Sequence, residues 1–272
     1  GSYSSAYIAA PVDKKEDIIN RIASAINIPN FKFKAQDGSE LEKNYKPKTK
    51  STFYLNEIKN GQPEFGEAFN FKVSGNPKDE IKFSILSEVL STRLFDDLRE
   101  KQGLTYAVSS GYTTKGDMGR ILISSESGKN SKEDIKKIYE GFRRNVQDLK
   151  DFNITEEELK KAKSSIRIDQ LNVFNNPKYA VYGLSDFKDT PLKNKMYENN
   201  FEIIEKITPD DIRKAALYAF SEKPDFTADA TKEILEENEN LFNSLAEKNE
   251  KHVAWKNMAK FIFHRVYIKV TR

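Results

Sequence analysis

The sequence contains no cysteine and only two histidines, His252 and His264. Without a thiol there is no disulfide framework, no thiolate zinc or iron–sulfur site and no cysteine nucleophile, although this absence suits a reducing or an oxidising compartment equally. Charge of one sign is missing too: 45 Lys plus Arg against 42 Asp plus Glu leave a net +3, too little to point to a nucleic-acid partner. Apolar runs such as Phe261-Ile262-Phe263 fall far short of the roughly 20 residues a membrane-spanning helix needs, so no membrane span is expected. Neither a glycine-lysine phosphate loop nor a dinucleotide fingerprint follows any expected strand, which argues against nucleotide chemistry. The opening Gly1-Ser2-Tyr3-Ser4-Ser5 has no basic and apolar leader pattern. Gly-Ser reads as the remnant of a cleaved tag, and the natural chain is expected to begin further upstream.

What is present is large apolar surface. Eighteen Phe and 12 Tyr in 272 residues supply a sizeable core despite 32% charged residues. Tyr3 to Ala10 reads as a strand, and Asp13-Lys14-Lys15-Glu16 opens a helix to about Ile26. Residues 29–50 are polar and aperiodic, a linker. Strands are expected at 52–58 and 67–74, the second with Phe69, Phe71 and Val73 alternating with polar partners. Asn76-Pro77 then starts a long helix whose apolar face is Ile81, Ile85, Leu86, Val89, Leu90, Leu94 and Leu98, stopped by Gly103.

A strand pair at 104–113 and 119–126 turns through Lys115-Gly116-Asp117. Ser131 with Asp134 caps a helix to about Leu149, and Thr155 with Glu158 forms a capping box for the next. Further helices are expected at 177–187 and at 209–220, the latter announced by Thr208-Pro209-Asp210-Asp211. Residues 229–260 read as helical and charged, and Val266 to Val270 as a closing strand. Clustered rather than alternating strands and helices favour an α+β fold, a mostly antiparallel sheet with helices packed on one face.

The side chains narrow the chemistry. His252 and His264 are 12 apart, with no second histidine at ligand spacing, so they read as ordinary tail residues rather than a metal site. Ser109, Ser110, Ser124, Ser125 and Ser127 lie in no Gly-x-Ser-x-Gly elbow and far from either histidine, and read as polar strand residues. Glu156-Glu157-Glu158 complements a helix dipole. The most informative stretch runs from Ser91 to Ser110: the end of an apolar-faced helix, a glycine-broken turn, and a strand entered through Tyr106. Arg99 and Tyr106 can project from one sheet edge into a common space. There a guanidinium fork and a phenolic donor could hold a peptide carbonyl or a developing oxyanion. From the residues alone the plainer reading, that Arg99 pairs with Glu100 or Asp96 and caps helix carbonyls while Tyr106 packs in the sheet, is favoured.

Arg93-Leu94-Phe95, Leu98-Arg99-Glu100-Lys101, Gly103-Leu104 and Tyr106 together resemble the signature of the C-terminal half-domains of insulinase/pitrilysin zinc peptidases, relatives of the mitochondrial processing peptidase. The similarity extends, more weakly, over residues 50–220, and includes Ile154-Thr155-Glu156-Glu157-Glu158-Leu159-Lys160-Lys161-Ala162-Lys163. Ala6 to Ile28 is similar to the closing strand and helix of a preceding half-domain. The domains expected are therefore 1–28, that preceding piece; 29–50, a linker; and 51–272, the C-terminal half-domain, with an insertion or atypical tail at 221–262. Two departures from the family pattern stand out: Ser87-Glu88-Val89-Leu90-Ser91-Thr92 replaces the usual glycines, and the tail after Ser221 fits poorly.

The resemblance implies a half-domain that pairs with a second half to enclose a peptide chamber. Its zinc would lie in that other half, on an inverted His-x-x-Glu-His motif that this sequence lacks. No metal or other cofactor is expected in this chain, which should be inactive alone. Arg99 and Tyr106 would be assisting catalytic residues, acting in trans on a peptide substrate at the partner's zinc. A non-catalytic partner or scaffold subunit of the same family is the alternative. A stand-alone module capturing peptides by strand addition is a third reading.

Overall fold

A computed structural model describes residues 51–115, 117–152, 154–175 and 193–245. The expected strands at 3–10 and 266–270, the helices at 13–26 and 177–187, the linker, and both histidines lie outside the described residues.

Five strands form one sheet in the order β1-β5-β2-β4-β3. β1 is Phe53–Glu57, β2 Glu64–Lys72, β3 Ala107–Lys115, β4 Met118–Glu126 and β5 Asp225–Ala230. Every pairing is antiparallel except β1 with β5. The period-two pattern sets which side of the sheet is dry. Phe65, Phe69 and Phe71 of β2, Ile121 and Ile123 of β4, and Phe226 and Ala228 of β5 are buried on one face. Their neighbours Glu64, Arg120, Leu122 and Glu126 are exposed on the other. Gly66 lets β2 and β5 lie close, because a Cβ there would sit 2.4 Å from Thr227 Oγ1.

Helices cover the dry face. α1, Pro77–Leu94, begins as its sequence dictates: Asn76 Oδ1 accepts from the Lys78 amide at 2.9 Å, Pro77 occupies the first turn, and Asp79 and Glu80 complement the dipole. Its apolar stripe, from Ile81 through Leu94, is buried and continues to Leu98. α2 is Lys132–Asp151 and α3 Glu156–Asn175. α4 is Lys193–Lys206 and α5 Pro209–Ala219. The short α6 and α7 are Lys232–Glu237 and Glu239–Leu245. An aromatic cluster joins the layers: Tyr139 of α2 meets Phe53, Phe65 and Phe226 edge-on, with ring centroids 5.8, 6.0 and 5.7 Å away. The Tyr139 hydroxyl donates to the Thr227 carbonyl at 2.6 Å, so its one polar atom is satisfied in the core. Among the described residues no helix is long and apolar enough to cross a membrane.

The sheet is mixed, and mostly antiparallel as the sequence implied. The expected helical stretch over 229–260 is helical at Lys232–Glu237 and Glu239–Leu245, is corrected at 229–230, which belong to a strand, and lies outside the described residues from 246 onward. Asp225–Ala230 is a strand hydrogen-bonded on both edges in the middle of the sheet, and the helices that follow are short and interrupted at Asn238. Phe226, Ala228 and Ala230 fill the dry face while Asp225, Thr227 and Asp229 face away, a pairing context that overrides the weak strand propensity of Asp and Ala. α4 was not anticipated, and β2 begins three residues earlier than expected, at Glu64.

Candidate functional site

The chain leaves α1 without a break but with a change of pitch. Residues Phe95–Lys101 form a π-helical turn, widened by one residue per hydrogen bond, and such turns are frequent at functional sites. Gly103 ends it at φ +58°, a left-handed conformation that costs an ordinary residue about 1–2 kcal/mol. The Gly103 amide donates to the Arg99 carbonyl at 3.0 Å, and the Leu104 amide donates to the Leu98 carbonyl at 2.9 Å.

Beyond the glycine the backbone is pinned from the other side. The Ser127 hydroxyl donates to the Leu104 carbonyl at 2.8 Å, and the Tyr106 amide donates to the Glu126 carbonyl at 2.8 Å. Leu98 and Leu104 are buried as anchors. Between them the polar side chains are left outside.

Arg99 sits in the π-turn with its side chain 45% exposed. Its guanidinium carbon lies 4.7 Å from the centre of the Phe95 ring, a cation–π contact that directs the fork without consuming its donors. Glu100 Oε1 is 3.7 Å from Arg99 Nε, an ion pair too long for a hydrogen bond. Tyr106 lies just ahead of β3 with 67% of its surface exposed. Its hydroxyl has no hydrogen bond among the described residues. Arg99 and Tyr106 thus stand on either side of the Gly103 turn, each fixed through backbone and each with side-chain donors that make no hydrogen bond among the described residues.

A row of three carboxylates on the exposed face of the sheet went unnoticed in the sequence. Glu64 is paired directly opposite Glu126 on β4 and directly opposite Asp229 on β5. Partial burial of the carboxyl between its neighbours, then the like charges of Asp229 and Glu126, push Glu64 above its ordinary range against a hydrogen bond from Ser124. Burial raises Asp229 as well, opposed by a hydrogen bond from Asn56. No local motif could have revealed the row, because it exists only through strand register and through β5, a strand the sequence pattern does not announce. An open cleft of about 370 Å³ lies elsewhere, between Ser84 and Ser87 of α1, Ser110 and Tyr112 of β3, and Asn200 of α4. Neither Arg99 nor Tyr106 lines it.

Among the described residues no group of three or more His, Asp or Glu is placed to hold a metal ion. The donor set of the described residues does not fit zinc.

The family model described as "Peptidase M16 inactive domain" matches residues 7–166, more than half the chain and the whole of the π-turn, Gly103 and Tyr106 region. The chain belongs to the M16 inactive-domain family. This M16 domain is 31% identical over 84 residues to the "Uncharacterized zinc protease YmxG" of Bacillus subtilis, a match covering 31% of this chain and 20% of that protein. Solved structures share the fold at low identity. A peptidase M16 inactive domain from Pseudomonas fluorescens superposes with a TM-score of 0.56 at 19% identity, covering 82% of this chain and 52% of that one. A protease from Helicobacter pylori gives 0.61 at 14%, covering 78% and 52%. The first half of the periplasmic protease PqqL from Escherichia coli gives 0.61 at 12%, covering 90% and 56%. The chain therefore spans about half the length of these solved relatives.

Proposed function

We propose that this M16 inactive domain is the substrate-holding half of a zinc endopeptidase, closing a peptide chamber against a zinc-bearing half and lending it Arg99 and Tyr106. The observation that carries this reading is that two groups whose donors make no hydrogen bond among the described residues, a half-exposed guanidinium and a largely exposed phenol, flank one turn tied down at both ends. A phenol fixed through its backbone is a preorganised donor to the oxyanion of a tetrahedral intermediate. A guanidinium fork, always charged, suits the carbonyls of an extended peptide backbone. The metal and the water it activates belong to the other half.

The test is turnover of a quenched fluorescent peptide by the domain assembled with the zinc-bearing half. Arg99→Ala lowers turnover by roughly 10² or more, the scale of losing a preorganised charge-stabilising donor. Unchanged turnover would remove Arg99 from the site. If no zinc-bearing half exists, in the same polypeptide or in a partner, the scaffold reading takes its place.

A further inference from the structure

The turn that carries Arg99 is held from outside. Asp97 Oδ2 accepts from Arg144 Nη2 at 2.5 Å and from Asn145 Nδ2 at 2.8 Å, both on α2. Its Oδ1 accepts from Gln102 Nε2 at 2.8 Å, and its carbonyl accepts from the Gln102 amide at 3.2 Å. One residue therefore ties the end of the π-turn to its start and both to a neighbouring helix. Partial burial opposes ionisation of this carboxyl, but the hydrogen bonds from Arg144, Gln102 and Asn145 outweigh it and keep Asp97 below the ordinary carboxylate range.

The α2 side is shaped to receive this turn. Asn145 is buried, and its amide also donates to the Gly141 carbonyl at 2.9 Å, which holds it aimed at Asp97. Gly141 faces Leu98: a Cβ there would come within 2.4 Å of Leu98 Cδ2, and Leu98 is fully buried with nowhere to retreat. Consecutive residues of the turn, Asp97 and Leu98, thus meet a polar grip and a glycine socket one turn apart on α2. π-helical turns are rare, and here Arg144, Asn145 and Gly141 of α2 contact the two residues just before Arg99.

We infer that Asp97 is a positioning residue, held by Arg144 and Asn145 of α2 beside the Leu98–Gly141 contact so that the π-turn presents Arg99 to the peptide; the inference rests on the role proposed above for Arg99. α2, which carries none of the family signature, then sets the geometry of the site.

Two measurements separate this inference from the reading it rests on. In the full chain alone, Asp97→Asn accelerates amide hydrogen exchange at Gln102, Gly103 and Leu104 by about ten-fold while Ile121 and Ile123 of β4 keep their protection, a local opening. Unchanged exchange at those three amides, or uniform acceleration throughout, overturns the inference. If Asp97→Asn fails to fold, Arg144→Gln, altering a half-exposed partner, gives the same readout. In the assembled peptidase, Asp97→Asn lowers turnover about ten-fold when Arg99 is present and little when Arg99 is already Ala. Equal losses in both backgrounds assign Asp97 a merely structural part and overturn the inference. Wild-type turnover from Arg99→Ala alone removes Arg99 from the site and, with it, the presentation step inferred here, while the exchange result still reports whether the clamp exists.

Discussion

Arg93, in the last turn of α1, grips Glu158, in the first turn of α3, through two parallel hydrogen bonds: Nε to Oε1 at 2.7 Å and Nη2 to Oε2 at 3.2 Å. The same carboxylate accepts from the Thr155 amide at 2.8 Å, completing the capping box. Glu158 therefore joins two helices as well as starting one. Partial burial works against its ionised form, but the Arg93 and Thr155 hydrogen bonds prevail and hold its carboxyl down at about 2.

Glu158→Gln is expected to destabilise the fold at neutral pH by about 1–2 kcal/mol, the scale of a partly exposed charged hydrogen-bonded pair. Because the folded-state value is depressed, this contribution is present above the unfolded value of 4.5 and fades as pH falls toward 2. Urea titrations of both proteins at pH 7 and at pH 2.5 check this: the gap in midpoint should narrow at the lower pH.

Glu67 works in the opposite direction. It lies on the dry face of β2 with one carboxylate oxygen unpaired in the core. Burial pushes its carboxyl up to about 8, opposed only by the charge of Arg143. A raised folded-state value means that stability is full below 4.5 and is lost as pH climbs through 8. The loss for one such proton is about 1.4 kcal/mol per pH unit within that window. Glu67→Gln, which keeps the shape without the charge, should match the wild-type Tm near pH 5 and exceed it by pH 8.5. Equal Tm differences at both pH values would contradict this account of Glu67.

At Gly103 the constraint is backbone conformation rather than space. Only Lys129 Nζ, 4.0 Å away, approaches the position a Cβ would take, while φ is +58°. Gly103→Ala should therefore cost about 1–2 kcal/mol from left-handed strain. Gly103→Asn should cost less, since Asn tolerates that region better. Thermal melts of the two variants check the order.

Much of this was legible in the sequence where local chemistry agrees with tertiary context. Asn76-Pro77, Ser131 with Asp134, Thr155 with Glu158, and Thr208-Pro209 all start helices where their capping chemistry placed them. Phe69 and Phe71 alternate as a half-buried strand should. What was hidden depends on partners distant in the chain. Asp225–Ala230 becomes a strand only because β1 and β2 offer edges on both sides, and the carboxylate row follows from that pairing. The π-turn is silent in the sequence as well, since its register leans on Gly141 and Asn145, more than forty residues beyond Asp97. Arg99 and Tyr106 were singled out by their residue types and their resemblance to a family pattern, and the structure adds their exposure and their tethers.

The most direct test of the central claim is turnover of a quenched peptide by the domain paired with its zinc-bearing half, comparing wild type with Tyr106→Phe. That substitution removes one exposed hydroxyl and leaves the anchoring Tyr106 amide to Glu126 carbonyl bond intact. Turnover is expected to fall by roughly 10² with an unchanged Tm. Wild-type turnover from Tyr106→Phe, or peptide cleavage by this chain without the other half, would contradict that claim.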